Sequence, residues 1–193
     1  MTNPTLTPDT IVAFLGDIFT RRGGEEYLGE PVTMAEHMLQ GAYFAETEGC
    51  DDVIIVAALL HDIGHFTSEF GTFSMKDTAD KYHEEAGAAV LEKFFPPIVT
   101  ECVRQHVAAK RYLCATDESY FAKLSTASVH SLNLQGGAMD DAEVAAFQKN
   151  PHLDALVKVR HLDDRGKVAG LKTPDFFHYA PMVQRVVNGF CNA

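Results

Sequence analysis

The stretch 53–64, VIIVAALLHDIG, constrains the fold of this chain more than any other part of its sequence. As a helix it is apolar on nearly every face, and helices of that kind lie buried inside a protein. No apolar run in the sequence approaches the roughly 20 residues that a membrane-spanning helix needs. The stretch therefore predicts a central helix that other helices surround.

Signals for helices recur along the rest of the chain. Thr33 and Glu36 form a capping-box pattern at the start of a helix that we expect to end near Gly49. Later segments show helical spacing of apolar residues, and none combines alternating polarity with an enrichment in β-branched residues. The sequence therefore predicts an all-α protein. A chain of 193 residues can bury one genuine core and is short for two, so we predict a single helical domain over residues 1–193.

Composition and charge exclude several classes of function. The formal net charge is −11, and an acidic protein repels polyanions, so we expect no nucleic acid partner. The N-terminus, MTNPTLTPDT, has neither the basic start nor the apolar core of a secretory signal. The four cysteines lack CxxC spacing and fit reduced thiols better than disulfides. We expect a cytoplasmic protein without a membrane partner, and the sequence leaves its oligomeric state open.

Four histidines are spaced by about one helix plus one connection. His37, His61, His83 and His106 follow one another at intervals of 24, 22 and 23 residues. Helical bundles build metal sites by pointing one side chain inward from each of several helices. Asp163 adds a carboxylate further along the chain. Taken singly, each histidine is also compatible with a buried imidazole that makes an ordinary hydrogen bond.

The adjacent pair His61 and Asp62 favours a metal site with two ions. Successive residues of a helix point about 100° apart, so both side chains can reach one cavity only if it holds more than one target. Two metal ions a few ångströms apart would be such a target. A carboxylate shared by the two ions would explain why an apolar segment ends in an imidazole and a carboxylate.

The spaced set of ligands resembles the HD-domain superfamily in its dinuclear form, a group of all-helical metalloproteins that are usually phosphohydrolases. The resemblance runs from about residue 27 to 170. The segments YLGE, EHMLQ, HDIGH, HVAAKRYLC, LQGG and RHLDDRGKVAG are similar to a narrower branch, the mixed-valence diiron oxygenases of the PhnZ/TmpB type. These enzymes cleave the carbon–phosphorus bond of 1-hydroxyphosphonates, and myo-inositol oxygenase is a more distant relative. His65 stands where many HD phosphohydrolases have lysine, as it does in the oxygenase branch.

The resemblance implies a ligand set for two iron ions in a mixed-valence Fe(II)/Fe(III) state, with Asp62 bridging them and dioxygen as the co-substrate. Imidazole and carboxylate suit iron, manganese, zinc and cobalt alike, so the ligand types alone leave the metal open. The implied metal ligands are His37, His61, Asp62, His83, His106 and Asp163.

The resemblance also implies residues that contact the phosphonate. Lys110 follows His106 by four residues, which places an ammonium and a ligand on one helix face. Without the resemblance, the spacing of Arg160 from Asp163 and Asp164 favours a surface ion pair. The implied phosphonate-contacting residues are His65, Lys110, Ser128 and Arg160, with Ser131 as a further candidate.

Tyr27 and Glu30 lie in the glycine-flanked segment GGEEYLGEP. By the resemblance, Tyr27 occupies a metal position before substrate arrives, and Glu30 receives the amine of the substrate while the segment shifts. The flanking glycines are compatible with such a movement. Together with His65, Lys110 and Arg160, these two residues form the predicted catalytic set.

Two substrates fit the resemblance. One is 2-amino-1-hydroxyethylphosphonate, which would give glycine and phosphate, and the other is its trimethylammonio analogue, which would give glycine betaine and phosphate. A trimethylammonium group cannot donate hydrogen bonds and is commonly held by aromatic faces. An alternative role for the aromatic residues that follow HDIGH is to cover the bundle. We favour the trimethylammonio substrate because the segment that follows HDIGH is rich in aromatic and other apolar side chains. These are Phe66, Phe70, Phe73, Met75 and Tyr82.

Two other functions compete with this one. The first is a metal-dependent phosphohydrolase that acts on a nucleotide or a small phosphomonoester. The second is a non-catalytic HD module that binds a phosphorylated small molecule. His65 and the YLGE segment count against the first, and the complete ligand set counts against the second.

Overall fold

The computed structural model of the chain describes residues 6–27, 29–67 and 78–192. Within these ranges the only β-type pairing is an isolated bridge between Glu26 and Thr33, so the all-α prediction is confirmed. The helices are α1 Ile11–Arg22, α2 Met34–Thr47, α3 Asp52–Leu60, α4 Gly64–Thr67, α5 His83–Leu91, α6 Pro97–Thr116, α7 Glu118–Phe121, α8 Thr126–Leu134, α9 Asp141–Phe147, α10 Leu153–Arg165 and α11 Phe176–Cys191.

Helix α3 is the centre of the fold. It begins at Asp52, and the side chain of the preceding Asp51 accepts a hydrogen bond from the backbone N–H of Ile54. Every residue from Ile55 to Leu60 is buried. The helix packs against α2, α6, α10 and α11, so the central helix predicted from residues 53–64 is confirmed.

The predicted capping box fixes the start of α2. The Thr33 side chain accepts from the backbone N–H of Glu36, and the Glu36 carboxylate accepts from the backbone N–H of Thr33. The chain leaves the helix through Gly49, whose φ of +72° favours glycine. Helix α2 packs against α3 and α10, and half of its residues are buried.

A close backbone approach joins the segment after α3 to α5. A Cβ atom on Gly64 would lie 1.7 Å from the backbone oxygen of His83. Only glycine permits that distance, because any side chain there would overlap the carbonyl group. The contact brings the residues that precede Gly64 against the start of α5.

Helix α11 closes the other side of the bundle. Tyr179, Val183 and Val187 are buried where it packs against α1 and α3. Each buried side chain of this size contributes about 1.5–3 kcal/mol by leaving water. None of the described helices combines the length and the apolar character that crossing a membrane requires.

Candidate metal centre

Two pairs of imidazoles face each other at the centre of the bundle. The Nε2 atoms of His37 and His61 are 2.9 Å apart, and those of His83 and His106 are 3.0 Å apart. All four side chains are buried. His37 lies on α2, His61 follows α3 as its C-cap, His83 begins α5 and His106 lies on α6.

The tautomers of three imidazoles follow from their other ring nitrogens. A carbonyl oxygen can only accept, so each Nδ1 donates and the neutral ring carries a lone pair on Nε2. Two such lone pairs at 2.9 Å repel each other unless a proton or a metal ion lies between them. Two nitrogens bound at right angles, each about 2.1 Å from a metal, would be about 3.0 Å apart. The Nδ1 hydrogen bonds run from His37 to Gly166, from His61 to Ala58 and from His106 to Val103, at 2.7–2.9 Å.

The carboxylate of Asp62 lies between the two pairs. Its Oδ2 atom is 3.4 Å from Nε2 of His37 and 3.5 Å from Nε2 of His61. Its Oδ1 atom is 3.3 Å from Nε2 of His83 and 3.2 Å from Nε2 of His106. One oxygen therefore faces each pair, which is the arrangement of a carboxylate that bridges two metal ions.

Asp163 completes the first group of ligands. Its Oδ1 atom is 3.4 Å from Nε2 of His37, and its Oδ2 atom is 3.8 Å from Nε2 of His61. The buried Oδ1 atom has no hydrogen-bond partner among the described residues, and a buried carboxylate oxygen of this kind is normally satisfied. The residues present therefore fit a pair of metal ions, with four protein ligands on one side and three on the other.

The carboxylates of the site are ionised. Burial raises the pKa of Asp163, but the guanidinium of Arg160 and the imidazole of His61 outweigh burial and hold it well below its usual range. Burial likewise raises the pKa of Asp62, and the surrounding imidazoles, His61 foremost, lower it well below the usual value. Both groups are ready to bind cations without losing a proton first.

A cavity opens beside the two groups of ligands, and it is rich in hydrogen-bond donors. Six of the seven residues predicted to bind substrate line it, and Glu30 lies behind its wall. The six are Tyr27, His65, Lys110, Ser128, Ser131 and Arg160.

Lys110 is almost completely buried in this wall. Its Nζ atom donates to Ser131 Oγ at 2.7 Å, and Ser131 Oγ donates in turn to the backbone oxygen of Ser128 at 3.1 Å. Burial lowers the pKa of Lys110 to about 7, and the nearby Arg160 adds to the decrease. An anion in the cavity would stabilise the protonated, charged form of Lys110.

Arg160 contacts both neighbouring aspartates. Its Nη1 atom is 2.6 Å from Asp163 Oδ2, and its Nη2 and Nε atoms donate to Asp164. The sequence therefore indicated the right partners, but the pair is buried rather than exposed. Tyr120 accepts from Nε at 3.0 Å and donates to Asp164 at 2.6 Å. Burial lowers the pKa of Arg160, and the two aspartates raise it well above the usual value.

Two predicted substrate residues stack on predicted metal ligands. The ring of Tyr27 lies 3.9 Å from that of His37, with 13° between their planes. The ring of His65 lies 4.0 Å from that of His83, with 15° between their planes. Burial raises the pKa of Tyr27 well above its usual value, so the phenol is neutral. Both residues therefore lie at the boundary between the ligands and the cavity.

Glu30 reaches the cavity wall from behind. Its Oε1 atom accepts from Ser125 Oγ, and Ser125 Oγ lies 3.2 Å from Ser128 Oγ. The Nζ atom of Lys167 lies 3.9 Å from the same oxygen and donates to Ser128 Oγ at 2.8 Å. Sequence reasoning gave Lys167 no role, although it follows Asp164 by three residues in the segment RHLDDRGKVAG.

Gln135 and Glu84 are further residues that sequence reasoning missed. Gln135 lines the cavity, and its buried Oε1 atom has no hydrogen-bond partner among the described residues. Glu84 Oε2 is 3.4 Å from Nδ1 of His83. Among the four imidazoles predicted to bind metal, His83 alone has an Nδ1 atom that does not face a backbone carbonyl. The LQGG and HEE segments contain these residues, but nothing in their spacing points to the cavity.

The predicted aromatic supply for a trimethylammonium group is only partly described. Phe66 is buried in the hydrophobic core, and Tyr82 is 62% exposed. Neither is among the residues that line the cavity. Phe70, Phe73 and Met75 lie outside the described residues, so the aromatic cage remains a prediction.

Comparison with known proteins identifies the family of the chain. Residues 34–140 match the family model described as HD domain. The chain is 67% identical over 183 residues to the 1-hydroxy-2-(trimethylamino)ethylphosphonate dioxygenase (glycine-betaine-forming) of Leisingera caerulea, covering 95% of this chain and 93% of that protein. It is 45% identical over 162 residues to the hydroxymethylphosphonate dioxygenase of Gimesia maris, covering 83% and 81%. The chain belongs to the HD-domain family and, within it, to the branch of the phosphonate dioxygenases.

Proposed function

We propose that the protein cleaves the carbon–phosphorus bond of 1-hydroxy-2-(trimethylammonio)ethylphosphonate with dioxygen and releases glycine betaine and phosphate. The observation that carries this proposal is the position of Asp62 between two facing imidazole pairs, beside a cavity that contains Lys110 and Arg160. The relative with 67% identity is named for the same reaction. The phosphohydrolase alternative is not favoured, since both named relatives are dioxygenases.

The proposed cofactor is a pair of iron ions in the mixed-valence Fe(II)/Fe(III) state. His37, His61, Asp62 and Asp163 would hold one ion, and His83, His106 and Asp62 the other. When bound, the pair would supply the activation of dioxygen and the removal of hydrogen from C1.

The cations of the cavity bind and orient the phosphonate. Lys110 offers an ammonium, and Arg160 has N–H donors beyond those used by its aspartates. The hydroxyls of Ser128 and Ser131 lie on the same wall. Because Lys110 and Arg160 are both buried, their attraction for a phosphonate is screened less than it would be at the surface.

Glu30 is the proposed partner of the trimethylammonium group. This group cannot donate a hydrogen bond, so its attraction to a carboxylate depends on charge alone. Tyr27 and His65 flank the cavity with neutral rings and exclude water from the reacting carbon.

The overall reaction balances with one dioxygen. The carbon–phosphorus bond breaks, C1 gains one oxygen and becomes a carboxylate, and phosphorus gains the other and becomes phosphate. No external reductant is consumed in a turnover. We therefore expect dioxygen consumption and phosphate release in a ratio of 1:1.

The test is an assay of phosphate and glycine betaine in air and under argon. Product formation is expected in air and is expected to stop under argon. Phosphate release that continues without dioxygen would overturn the oxygenase and restore the phosphohydrolase. Faster turnover of 2-amino-1-hydroxyethylphosphonate than of the trimethylammonio compound would overturn the choice of substrate.

The cofactor needs a separate measurement. Metal analysis and electron paramagnetic resonance on aerobically purified protein are expected to show two iron ions and a mixed-valence signal that the substrate perturbs. A full complement of zinc or manganese with full activity would overturn the assignment of iron.

A further inference from the structure

Lys167 lies between two carboxylates behind the cavity wall. Its Nζ atom is 3.9 Å from Glu30 Oε1 and 3.8 Å from Asp164 Oδ1, and it donates to Ser128 Oγ at 2.8 Å. The side chains of Lys167 and Glu30 are each 12% exposed. The ammonium is therefore a largely buried counter-ion of the residue that we assign to the cation of the substrate.

The backbone around Lys167 is held on both sides by α2. The oxygen of Gly166 accepts from His37 Nδ1 at 2.9 Å. The side-chain amide of Gln40 pairs with both the N–H and the oxygen of Val168, each at 2.9 Å. Any movement of the Lys167 ammonium must therefore come from rotation of its own side chain.

Charges alternate along a line from the metal centre to Glu30. Asp163 contacts Arg160, Arg160 contacts Asp164, and Asp164 and Glu30 share Lys167. A cation that approaches Glu30 meets the like charge of Lys167 a few ångströms away. The repulsion falls if the ammonium moves closer to Asp164 and Ser128, which it already contacts.

We propose that Lys167 sets how strongly the site prefers a cationic phosphonate, because its ammonium competes with the substrate cation for Glu30. The proposal rests on the proposed function, since it takes Glu30 as the partner of that cation. Lys167 is a specificity-determining residue in this scheme and does not touch the reacting carbon.

The test compares two probes that differ in one charge. The first is 2-(trimethylammonio)ethylphosphonate, and the second is 3,3-dimethylbutylphosphonate, in which carbon replaces the quaternary nitrogen. Neither carries the 1-hydroxyl, so binding is measured by calorimetry on the metal-loaded protein without turnover. The quantity of interest is the preference for the cationic probe, expressed as the ratio of the two dissociation constants.

Lys167→Met is expected to raise this preference about five- to tenfold, because it removes one positive charge beside Glu30. Lys167→Arg keeps the charge and is expected to stay within about twofold of the wild-type preference. In a Glu30→Gln background, Lys167→Met is expected to raise the preference by less, because the carboxylate for which the two cations compete is gone and only the repulsion between like charges remains.

Several results would overturn the inference. An equal loss of affinity for both probes in Lys167→Met would show that Lys167 binds the phosphonate or supports the fold. An unchanged preference would show that its charge is not felt at Glu30. Absence of binding by the wild-type protein would remove the proposed function and this inference together. If the preference responds to Lys167 but the hydroxylated substrate is not turned over, the proposed reaction fails and the role of Lys167 stands.

Discussion

Arg160 donates from Nη1 to Asp163 Oδ2 at 2.6 Å, and both side chains are buried. One guanidinium thus contacts a proposed metal ligand and lines the proposed phosphonate site. Its other nitrogens are held by Asp164 and Tyr120. In the proposed complex, one rigid group would therefore set the position of the phosphonate relative to the metal centre.

Replacing Arg160 with lysine tests that arrangement. An ammonium keeps the charge but cannot contact Asp163, Asp164 and Tyr120 together, so we expect kcat/KM to fall about 100-fold, equivalent to about 3 kcal/mol. The matched control is Arg185→Lys, which changes an exposed arginine that pairs with Asp52. Steady-state kinetics on the two variants makes the comparison. Equal activity of Arg160→Lys and the control would contradict the role of the guanidinium.

The two aspartates are expected to differ in their effect on metal content. Asp62 faces both imidazole pairs, so Asp62→Asn is expected to lose both ions. Asp163 faces one pair, so Asp163→Asn is expected to keep about one ion per chain. Metal analysis after dialysis measures this, with the surface variant His178→Ala as the control. Full metal content in Asp62→Asn would refute the bridging carboxylate.

The affinity for a phosphonate is expected to depend on pH through Lys110. Burial lowers the pKa of this ammonium to about 7, and its charged form binds an anion better. The contribution is therefore present below about pH 7 and is lost as the pH rises, by up to about tenfold per pH unit. Calorimetric titrations between about pH 5 and about pH 9, which is about two units on either side of that value, measure it.

Lys110→Arg is the control for this pH dependence, because its guanidinium stays charged throughout. The ionisation of the phosphonate itself is common to both proteins, so the difference between their profiles reports on Lys110. Parallel profiles for the two proteins would show that Lys110 does not titrate in this range.

The close approach at Gly64 predicts a large effect of a small substitution. Gly64→Ala places a methyl group 1.7 Å from the backbone oxygen of His83, so α4 and α5 must separate. We expect a loss of about 3 kcal/mol of unfolding free energy together with loss of metal. Gly24→Ala is the matched control, since an added Cβ there meets nothing within 4 Å. Equal melting temperatures for the two variants would contradict this account.

The sequence predicted the parts of the fold that depend on local patterns. The apolar run that forms α3 and the capping box of Thr33 and Glu36 are local signals, and both appear in the structure as expected. Six metal ligands were also predicted, because their spacing follows the lengths of helices and connections and because the motifs resemble a known family, and their role as ligands stays a prediction. In the structure these six side chains lie together at the centre of the bundle.

Other site residues could not be predicted because their roles exist only in three dimensions. Lys167 is separated from Glu30 by most of the chain, and no periodicity connects the two. Tyr120 reaches Arg160 only because α7 folds back along α6. Gln135 is identified as a site residue by its buried side-chain oxygen, which has no hydrogen-bond partner among the described residues. That property depends on packing and cannot be read from the sequence.

Because His37 and Gly166 are hydrogen-bonded, one short loop both orients His37 and carries Lys167. The carbonyl that orients a ligand imidazole belongs to the residue immediately before Lys167, and a Cβ on that glycine would lie 2.9 Å from the same imidazole. Lengthening or shortening this loop would therefore disturb both the binding of the metal ions and the selection of the substrate. We therefore expect a change in the range of compounds that this protein accepts to come from exchanges of side chains on a loop of unchanged length.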